Sequence, residues 1–325
     1  MEFFSADLIR QELPMEACIQ AMEEAFRLLH RKTGRHILRK RVSLPGGSIA
    51  WGNLMSLMPA YYDQHYCGAK VFTVFPDNSG TDLPTHQGLV LLFDAQNGSL
   101  LACADANAVT ELRTAAATAL ATRLLARPEA ASAAFVGAGP LAYAHLKALM
   151  LVRPFARVAV FDLNRERTLR FAQFARETYG IEAEAAPDLP AAVREADVIT
   201  TATTAGEPIL FRAHVRPGVH INALGACAPI FRELSTDLVC ASRFFGDCRE
   251  AVLSEPGDFL IPLQEGSIRP EHLLGDLSDL VGGFQGRTSP EDITIFESLG
   301  IANEDIAAVK WIYEARRSRA SGGQR

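Results

Sequence analysis

The sequence predicts an α/β protein with a Rossmann-type, doubly wound parallel-sheet domain that follows a β-rich part. Three observations carry this. After Ala130, short apolar runs alternate with helical stretches, which is the rhythm of βαβ units. One such run enters a helix through the glycine turn VGAGPLA. Before it, long segments rich in β-branched and aromatic residues are punctuated by turn signals.

In chain order, Met15 to Arg31 has helical spacing, with Ala17, Ala21, Ala25, Leu28 and Leu29 on one side. From Arg41 to about Ala104 the pattern is strand-like, and Asn97-Gly98 marks a hairpin between QGLVLLFDAQ and the run after it. Thr110 to Leu125 reads as an alanine-rich helix with Thr110 as its N-cap. The runs ASAAFVGAG, ARVAVFDLN, ADVITTATT, VHINALGA and ASRFFGD follow. They imply a parallel sheet with helices on both faces. From Ser298, SLGIANEDIAAVKWIYEARR reads as one amphipathic helix that returns to the first part, and the terminal SGGQR as disordered.

Composition narrows the function. The chain has 325 residues, 48% hydrophobic and 22% charged, as in a soluble globular protein. A net charge of −6 gives no reason to expect nucleic acid or a membrane surface as partner. No apolar run has the ~20 residues of a membrane span, and no basic-then-apolar leader opens the chain. The cytoplasm is the expected location. The six cysteines include no C-x-x-C pair and the eight histidines no H-x-x-x-H arrangement, so no metal is expected.

Gly137, Gly139 and Ala142 fit the G-x-G-x-x-G/A fingerprint. The first glycine allows the tight turn and the second lets backbone approach a pyrophosphate, while a small third residue packs helix on strand. Pro140 and Leu141 open the helix whose free N–H groups face the anion. The bland alternative is a tight turn and nothing more. The next apolar run ends in Asp162, 23 residues after Gly139, where an acid grips a ribose diol; alternatively Asp162 caps the following helix. An acid there repels a 2′-phosphate and favours NAD(H), with NADP(H) possible because Arg165 and Arg167 stand just beyond, after Asn164.

Candidates for a substrate site lie elsewhere. Arg113, read as first-turn, suits a bound anion; a solvated arginine is the alternative. Lys70 interrupts the apolar strand CGAKVFTVFP on the side of Phe72 and Val74, as a buried cation or, more simply, an edge-strand gatekeeper. Arg41 sits in the basic LRKR cluster, a pattern that is usually a solvated face. Thr85 and His86 lie in a turn and could donate hydrogen bonds or protons. Cys227, in GACAP after the fourth α/β strand, is a ligand-edge residue or simply a small buried thiol.

Several stretches are more specific than the glycine turn: MPAYYDQHYCGAKVFTVFP, LPTHQGLVLLFDAQNGSLLACADANAVTELRTAAATALAT, VGAGPLAYAH, EPILFRAHVRPGVHINALGA and ITIFESLGIANEDIAAVKWIY. On these the chain resembles the ornithine cyclodeaminase/mu-crystallin family, nearly end to end. The resemblance implies a homodimer. It also implies a substrate-binding and dimerisation domain from residues 1–125 and 299–325, and a Rossmann domain from 126–298. By resemblance, Arg41, Lys70 and Arg113 bind the substrate carboxylate, and Lys70 and Arg113 are the expected catalytic residues; His86, as an alternative proton donor, and Cys227 are the other expected substrate-site residues. Thr85 and Arg113 stand near the cofactor phosphate. Gly139, Pro140, Asp162, Thr203 and the loop at Gly225 and Ala226 contact the nucleotide, and Ser298 to Gly300 lie beside the nicotinamide.

Cys227 departs from the cyclodeaminases, which carry an aspartate after GA. A carboxylate can deprotonate and aim a side-chain amine; a thiol, with its ordinary pKa of ~8.5, is a poor substitute. The expected activity is therefore NAD(P)H-dependent reduction of a cyclic ketimine beside a carboxylate, such as Δ1-pyrroline-2-carboxylate or Δ1-piperideine-2-carboxylate, to L-proline or L-pipecolate. The alternatives are ornithine cyclodeamination or another amino-acid dehydrogenation on the same scaffold, and a non-catalytic NAD(P)-binding protein.

Overall fold

The computed structural model describes residues 1–47 and 52–322, so the end of the SGGQR segment lies outside the described residues. The chain divides into two compact units, Met1–Thr114 with Gly300–Arg325, and Ala115–Leu299.

In the first unit, β1 (Glu2–Phe4) precedes helices α1 (Ala6–Glu12) and α2 (Met15–His30). Then come β2 (Arg35–His36), β3 (Lys40–Leu44), β4 (Asn53–Tyr61), β5 (Tyr66–Val74), β6 (His86–Asp94) and β7 (Leu100–Asp105). They form one sheet in the order β1-β7-β6-β5-β4-β2, with β3 also on β4. The β6–β7 pair turns through Asn97 and Gly98, the latter at φ +75°, as the dipeptide predicts. Residues of β4 alternate strictly: Leu54, Ser56, Met58 and Ala60 are buried, while Met55, Leu57 and Tyr61 are exposed. The buried face is covered by the last helix, which lies across β4, β5 and β6 and against α2. The other face is apolar and open in the single chain, with Val42 60% and Leu57 41% exposed. The buried side of α2 is formed by Met15, Cys18, Ile19, Ala21, Met22, Ala25 and Phe26, so Ala21 and Ala25 face inward as expected while Ala17, Leu28 and Leu29 lie at the margin. The centre of that side is shifted toward Cys18, Met22 and Phe26, because these larger side chains bury more apolar surface than Ala17.

Helix α3 runs Ala106–Leu125. Thr110 is not its N-cap: the helix starts four residues earlier, where the Asp105 carboxylate accepts the Ala108 N–H at 2.8 Å. Seven alanines among its 20 residues, on more than one face, blur the periodicity that would have marked the start.

The second unit holds eight strands: β8 (Ser132–Val136), β9 (Arg157–Phe161), β10 (Glu182–Ala185), β11 (Val198–Thr201), β12 (His220–Ala223), β13 (Ser242–Gly246), β14 (Leu273–Asp276) and β15 (Ile293–Glu297). All pair in parallel, in the order β10-β9-β8-β11-β12-β15-β13-β14. Helices α4 (Pro140–Val152), α5 (Arg165–Tyr179), α6 (Leu189–Val193), α7 (Thr236–Cys240), α8 (Arg249–Val252), α9 (Gly257–Gln264) and α10 (Leu277–Val281) connect them. The sheet winds outward both ways from β8 and β11, which is the switch point where such sheets bind ligands. Cys227 follows the fifth strand in chain order, not the fourth, because the short polar EAEA of β10 intervenes.

The last helix, α11, spans Ala302–Gly322, so Ser298–Ile301 precede it. Its first half is not amphipathic. Every residue from Ile301 to Val309 is buried, including Asn303, Glu304 and Asp305.

Candidate functional site

Two groups of chemistry-bearing residues emerge, one in each unit. In the first unit they line the covered face of the sheet. Register places Arg41 beside Ser56, Ser56 beside Phe72, and Phe72 beside Gly88. Lys70 sits between Met58 and Val90, and Val74 pairs with His86. Since alternate residues share a face, Arg41, Lys70, Phe72 and His86 all project to one side.

Lys70 is no edge gatekeeper. It lies on β5, flanked on both sides by β4 and β6, and is 5% exposed. Its Nζ donates to Thr110 Oγ1 and, at 3.2 Å, to Asp305 Oδ1. Thr110 Oγ1 in turn donates to the Ala106 carbonyl at 2.6 Å, so its lone pairs are turned toward the ammonium. Burial draws the Lys70 pKa down to about 8; the Arg113 charge adds to this, and the Asp305 carboxylate opposes it.

Arg113 lies two turns into α3, not in its first turn. Its Nη1 donates to Glu304 Oε2 at 2.6 Å and its Nε to Asp305 Oδ1 at 3.2 Å. Both acids stand in the first turn of α11, where the helix dipole favours negative charge. They are fully buried, and such burial is tolerable because each meets a cation.

Gly300 sits at φ +79°, and a Cβ there would collide with the Arg113 guanidinium. Its carbonyl accepts from Arg39 Nη2 at 2.9 Å. Arg39 was not singled out in the LRKR cluster, yet it is half-buried while Arg41 is exposed. Its charge also acts on Lys70. Arg39 precedes β3, and its place is set by a contact 261 residues away in sequence, which no local pattern marks. His86 opens β6, its ring stacked on Phe72 at 6.5 Å and its Nδ1 3.1 Å from Thr85 Oγ1. Desolvation and then the Lys70 charge lower its pKa, so the ring is neutral at pH 7.

In the second unit, Gly137 adopts φ +99°, and a Cβ would stand 2.6 Å from the Ala202 carbonyl oxygen. Gly139 is the N-cap of α4, with no side chain capping the helix and Pro140 at its first position. Nothing stands within 4 Å of a Cβ built on Gly139. The result is an uncapped helix start, opposite open space, with Leu141 in its first turn. This fits a pyrophosphate.

Asp162 does not cap the next helix; Asn164 does, accepting from the Glu166 and Arg167 N–H groups. The Asp162 carboxylate instead accepts the Ala138 N–H at 2.8 Å and the Asn164 N–H at 2.7 Å. That leaves lone pairs on each oxygen for ribose hydroxyls. Arg165 is turned away, donating to the Ala185 and Ala186 carbonyls at 2.9 Å each.

Beyond β11 and β12, Thr203 and Gly225 are tied to a residue that sequence reading missed, Glu233. Its carboxylate receives Thr203 N–H, Thr203 Oγ1, Thr201 Oγ1 and Gly225 N–H at 2.7–2.8 Å. Ala226 is fully buried beside this loop, and Cys227 is half-buried. Ser298 follows β15, its N–H on the Ala223 carbonyl and its buried hydroxyl without a partner among the described residues.

The ornithine cyclodeaminase/mu-crystallin family model matches residues 2–320. A Δ1-pyrroline-2-carboxylate reductase of Paracoccus denitrificans is 40% identical over 249 residues, which make up 75% of this chain and 78% of that one. The structure of the Thermococcus litoralis Δ1-pyrroline-2-carboxylate reductase, in complex with NADH and L-proline, superposes with a TM-score of 0.93 at 31% identity over 98% of each chain. An archaeal alanine dehydrogenase dimer with bound NAD superposes with a TM-score of 0.92 at 29% identity, over 98% of this chain and 97% of that one. With a match of this length joined to a glycine cradle and a buried lysine–arginine pair, the chain belongs to the ornithine cyclodeaminase/mu-crystallin family.

Proposed function

We propose that the protein is a cytoplasmic, homodimeric, NAD(H)-dependent reductase of cyclic ketimines that carry a carboxylate beside the C=N bond, such as Δ1-pyrroline-2-carboxylate. The observation that carries this reading is the buried group of Lys70, Arg113, Glu304 and Asp305. Two cations are held rigidly by two acids in the first unit, and the nearby Arg39 and Arg41 add positive charge in excess. Such a group binds a small carboxylate and holds it in one orientation, from which much of a rate enhancement comes.

When bound, NADH supplies the hydride. Gly137, Gly139, Pro140 and Leu141 form the pyrophosphate cradle, Asp162 takes the adenosine ribose, and Thr203, Gly225, Ala226 and Ser298 serve the other half. Arg113, Arg39 and Arg41 take the substrate carboxylate, with Thr85 and His86 at its edge. Lys70 holds a proton at neutral pH and, with its pKa drawn down to about 8, can pass it to the imine nitrogen. Carbon gains the hydride, nitrogen the proton, and the product is the L-amino acid. Cys227 leaves the site without the acid that a cyclodeaminase needs.

The second copy is expected on the open apolar face of the first unit's sheet, around Val42, Met55, Leu57, Tyr61 and Leu89. The likeness to a dimeric alanine dehydrogenase supports this. Placing a charge there with Leu57→Glu should give monomers by light scattering; an unchanged dimer would move the interface elsewhere.

Incubating the protein with Δ1-pyrroline-2-carboxylate and NADH tests the activity. The expected result is L-proline equal in amount to the NADH consumed. Tight NADH binding without consumption of this or the six-membered ketimine would overturn the reading.

A further inference from the structure

Glu233 is fully buried, and its one side chain accepts four hydrogen bonds, from the last residue of β11, the loop after it and the loop after β12. Oε1 receives both donors of Thr203, after β11; Oε2 receives Thr201 Oγ1 and the Gly225 N–H, after β12. The two loops lie at the carboxyl ends of adjacent strands, on the side of the switch point away from Asp162. In a doubly wound sheet that side takes the second half of a dinucleotide.

Gly225 fits this partner closely: a Cβ on it would stand 2.7 Å from Glu233 Oε1. Glu233 is itself held from behind, since Asp258 Oδ1 accepts the N–H groups of Glu233 and Leu234 at 2.8 and 2.7 Å. A further backbone link, from Arg232 N–H to the Ala205 carbonyl at 2.9 Å, joins the same two loops.

We propose that Glu233 is a positioning residue for the nicotinamide half of the dinucleotide: its carboxylate clamps the Thr203 and Gly225 loops at the spacing that half requires. This rests on the reading that the second unit binds NAD(H).

A carboxylate is needed because all four surrounding groups are donors. Glutamine has the same shape but turns an NH2 group against either the Thr203 N–H or the Gly225 N–H, and neither backbone donor can rotate away. The charged groups that act with Glu233 are Asp258 and Glu297, while the Arg232 guanidinium is turned to the Leu234 carbonyl and Thr236 and acts on Asp258. Burial raises the Glu233 pKa while the four donors pull it down. Burial and the Glu233 charge push Asp258 up to about 8, and burial with the Asp258 and Glu233 charges raises Glu297 well above the usual carboxylate range.

The test compares NADH and ADP binding by fluorescence and calorimetry for wild type, Glu233→Gln and Thr201→Val. ADP reports on the Gly137–Asp162 half alone. Glu233→Gln should weaken NADH about tenfold or more, as expected for lost hydrogen bonds to a charged group, and raise KM for NADH more than it lowers kcat. Its affinity for ADP should stay within about twofold of wild type. Thr201→Val, which removes one donor and keeps the shape, should weaken NADH by about threefold and carries the test if Glu233→Gln does not fold. NADH affinity unchanged in the folded variants, or ADP weakened as much as NADH, would overturn the proposal. A wild-type protein that fails to bind NADH at all would instead overturn the dinucleotide reading beneath it.

Discussion

The Lys70 ammonium and the Asp305 carboxylate lie 3.2 Å apart with side chains 6% and 0% exposed, and the same Asp305 oxygen also accepts from Arg113 Nε. One acid therefore sets the position of two cations and the charge state of one of them. Replacing it with asparagine leaves Lys70 and Arg113 short of a counter-charge. Breaking a buried pair on one side costs about 3–5 kcal/mol. Asp305→Asn should show a thermal midpoint lowered to match, and an alkaline limb of kcat/KM moved to lower pH. A limb that stays in place would mean that Lys70 is not the group titrating.

The pH dependence has a definite sign. Burial lowers the folded pKa of Lys70 from 10.5 to about 8. Between those values the unfolded chain holds a proton that the folded chain has released, so the Lys70 contribution to stability increases with pH across that window. Activity that needs the protonated amine declines over the same window. Lys70→Arg, which stays charged, should lose most activity but carry what remains through pH 9 without decline. A wild-type kcat/KM that is flat from pH 7 to 9 would contradict this assignment.

Gly300 allows the Arg113 guanidinium to lie against backbone at φ +79°. Alanine there brings both an unfavourable φ, of order 1–3 kcal/mol, and a clash with the group expected to bind substrate. Gly300→Ala should raise KM for the ketimine about tenfold or more, and by more than it raises KM for NADH, whose nicotinamide is expected beside the same segment. Equal loss in both would mean a general folding defect.

Asp162 should decide between the two nicotinamide cofactors. Its carboxylate is fixed by the Ala138 and Asn164 N–H groups, and Arg165 is engaged with the Ala185 and Ala186 carbonyls. The wild type should therefore prefer NADH. Asp162→Ser should weaken NADH and bring the kcat/KM ratio of NADH to NADPH close to unity. A wild type that prefers NADPH would place the ribose elsewhere.

An aspartate at position 227 would not by itself make a cyclodeaminase. Glu297, fully buried with both carboxyl oxygens unpartnered among the described residues, already has its pKa raised by burial and by Asp258, Glu233 and Asp247, and it feels Cys227 as well. A new carboxylate beside these acids is itself pushed up. Cys227→Asp should lose stability and release no ammonia from ornithine at neutral pH. Ammonia at neutral pH would show that the missing acid alone separates the two activities.

The parts of this arrangement legible in the sequence are local ones. The turn at Gly137 and the acid at Asp162 are read from spacing, because a strand, a tight turn and a helix fix that geometry within a single βαβ unit. The partner of Lys70 was not legible. Asp305 is 235 residues away, and periodicity within CGAKVFTVFP cannot tell a central strand from an edge. Arg39 was hidden among the three basic residues of LRKR, and only its contact with the distant Gly300 carbonyl separates it from the others. Glu233 was missed for another reason: its REL setting has no spacing signature, and its role appears only when the ends of β11 and β12 come side by side. Polar strands such as β10 escape a search for apolar runs because, at a sheet edge, they need not be buried.

The central claim is that the site reduces a preformed C=N bond and does not eliminate ammonia. The most direct test measures NADH oxidation with Δ1-pyrroline-2-carboxylate and, in parallel, ammonia release from L-ornithine with NAD. Rapid ketimine reduction without ammonia release is the predicted result. Ammonia and proline formed from ornithine, at a rate matching or exceeding ketimine reduction, would contradict it.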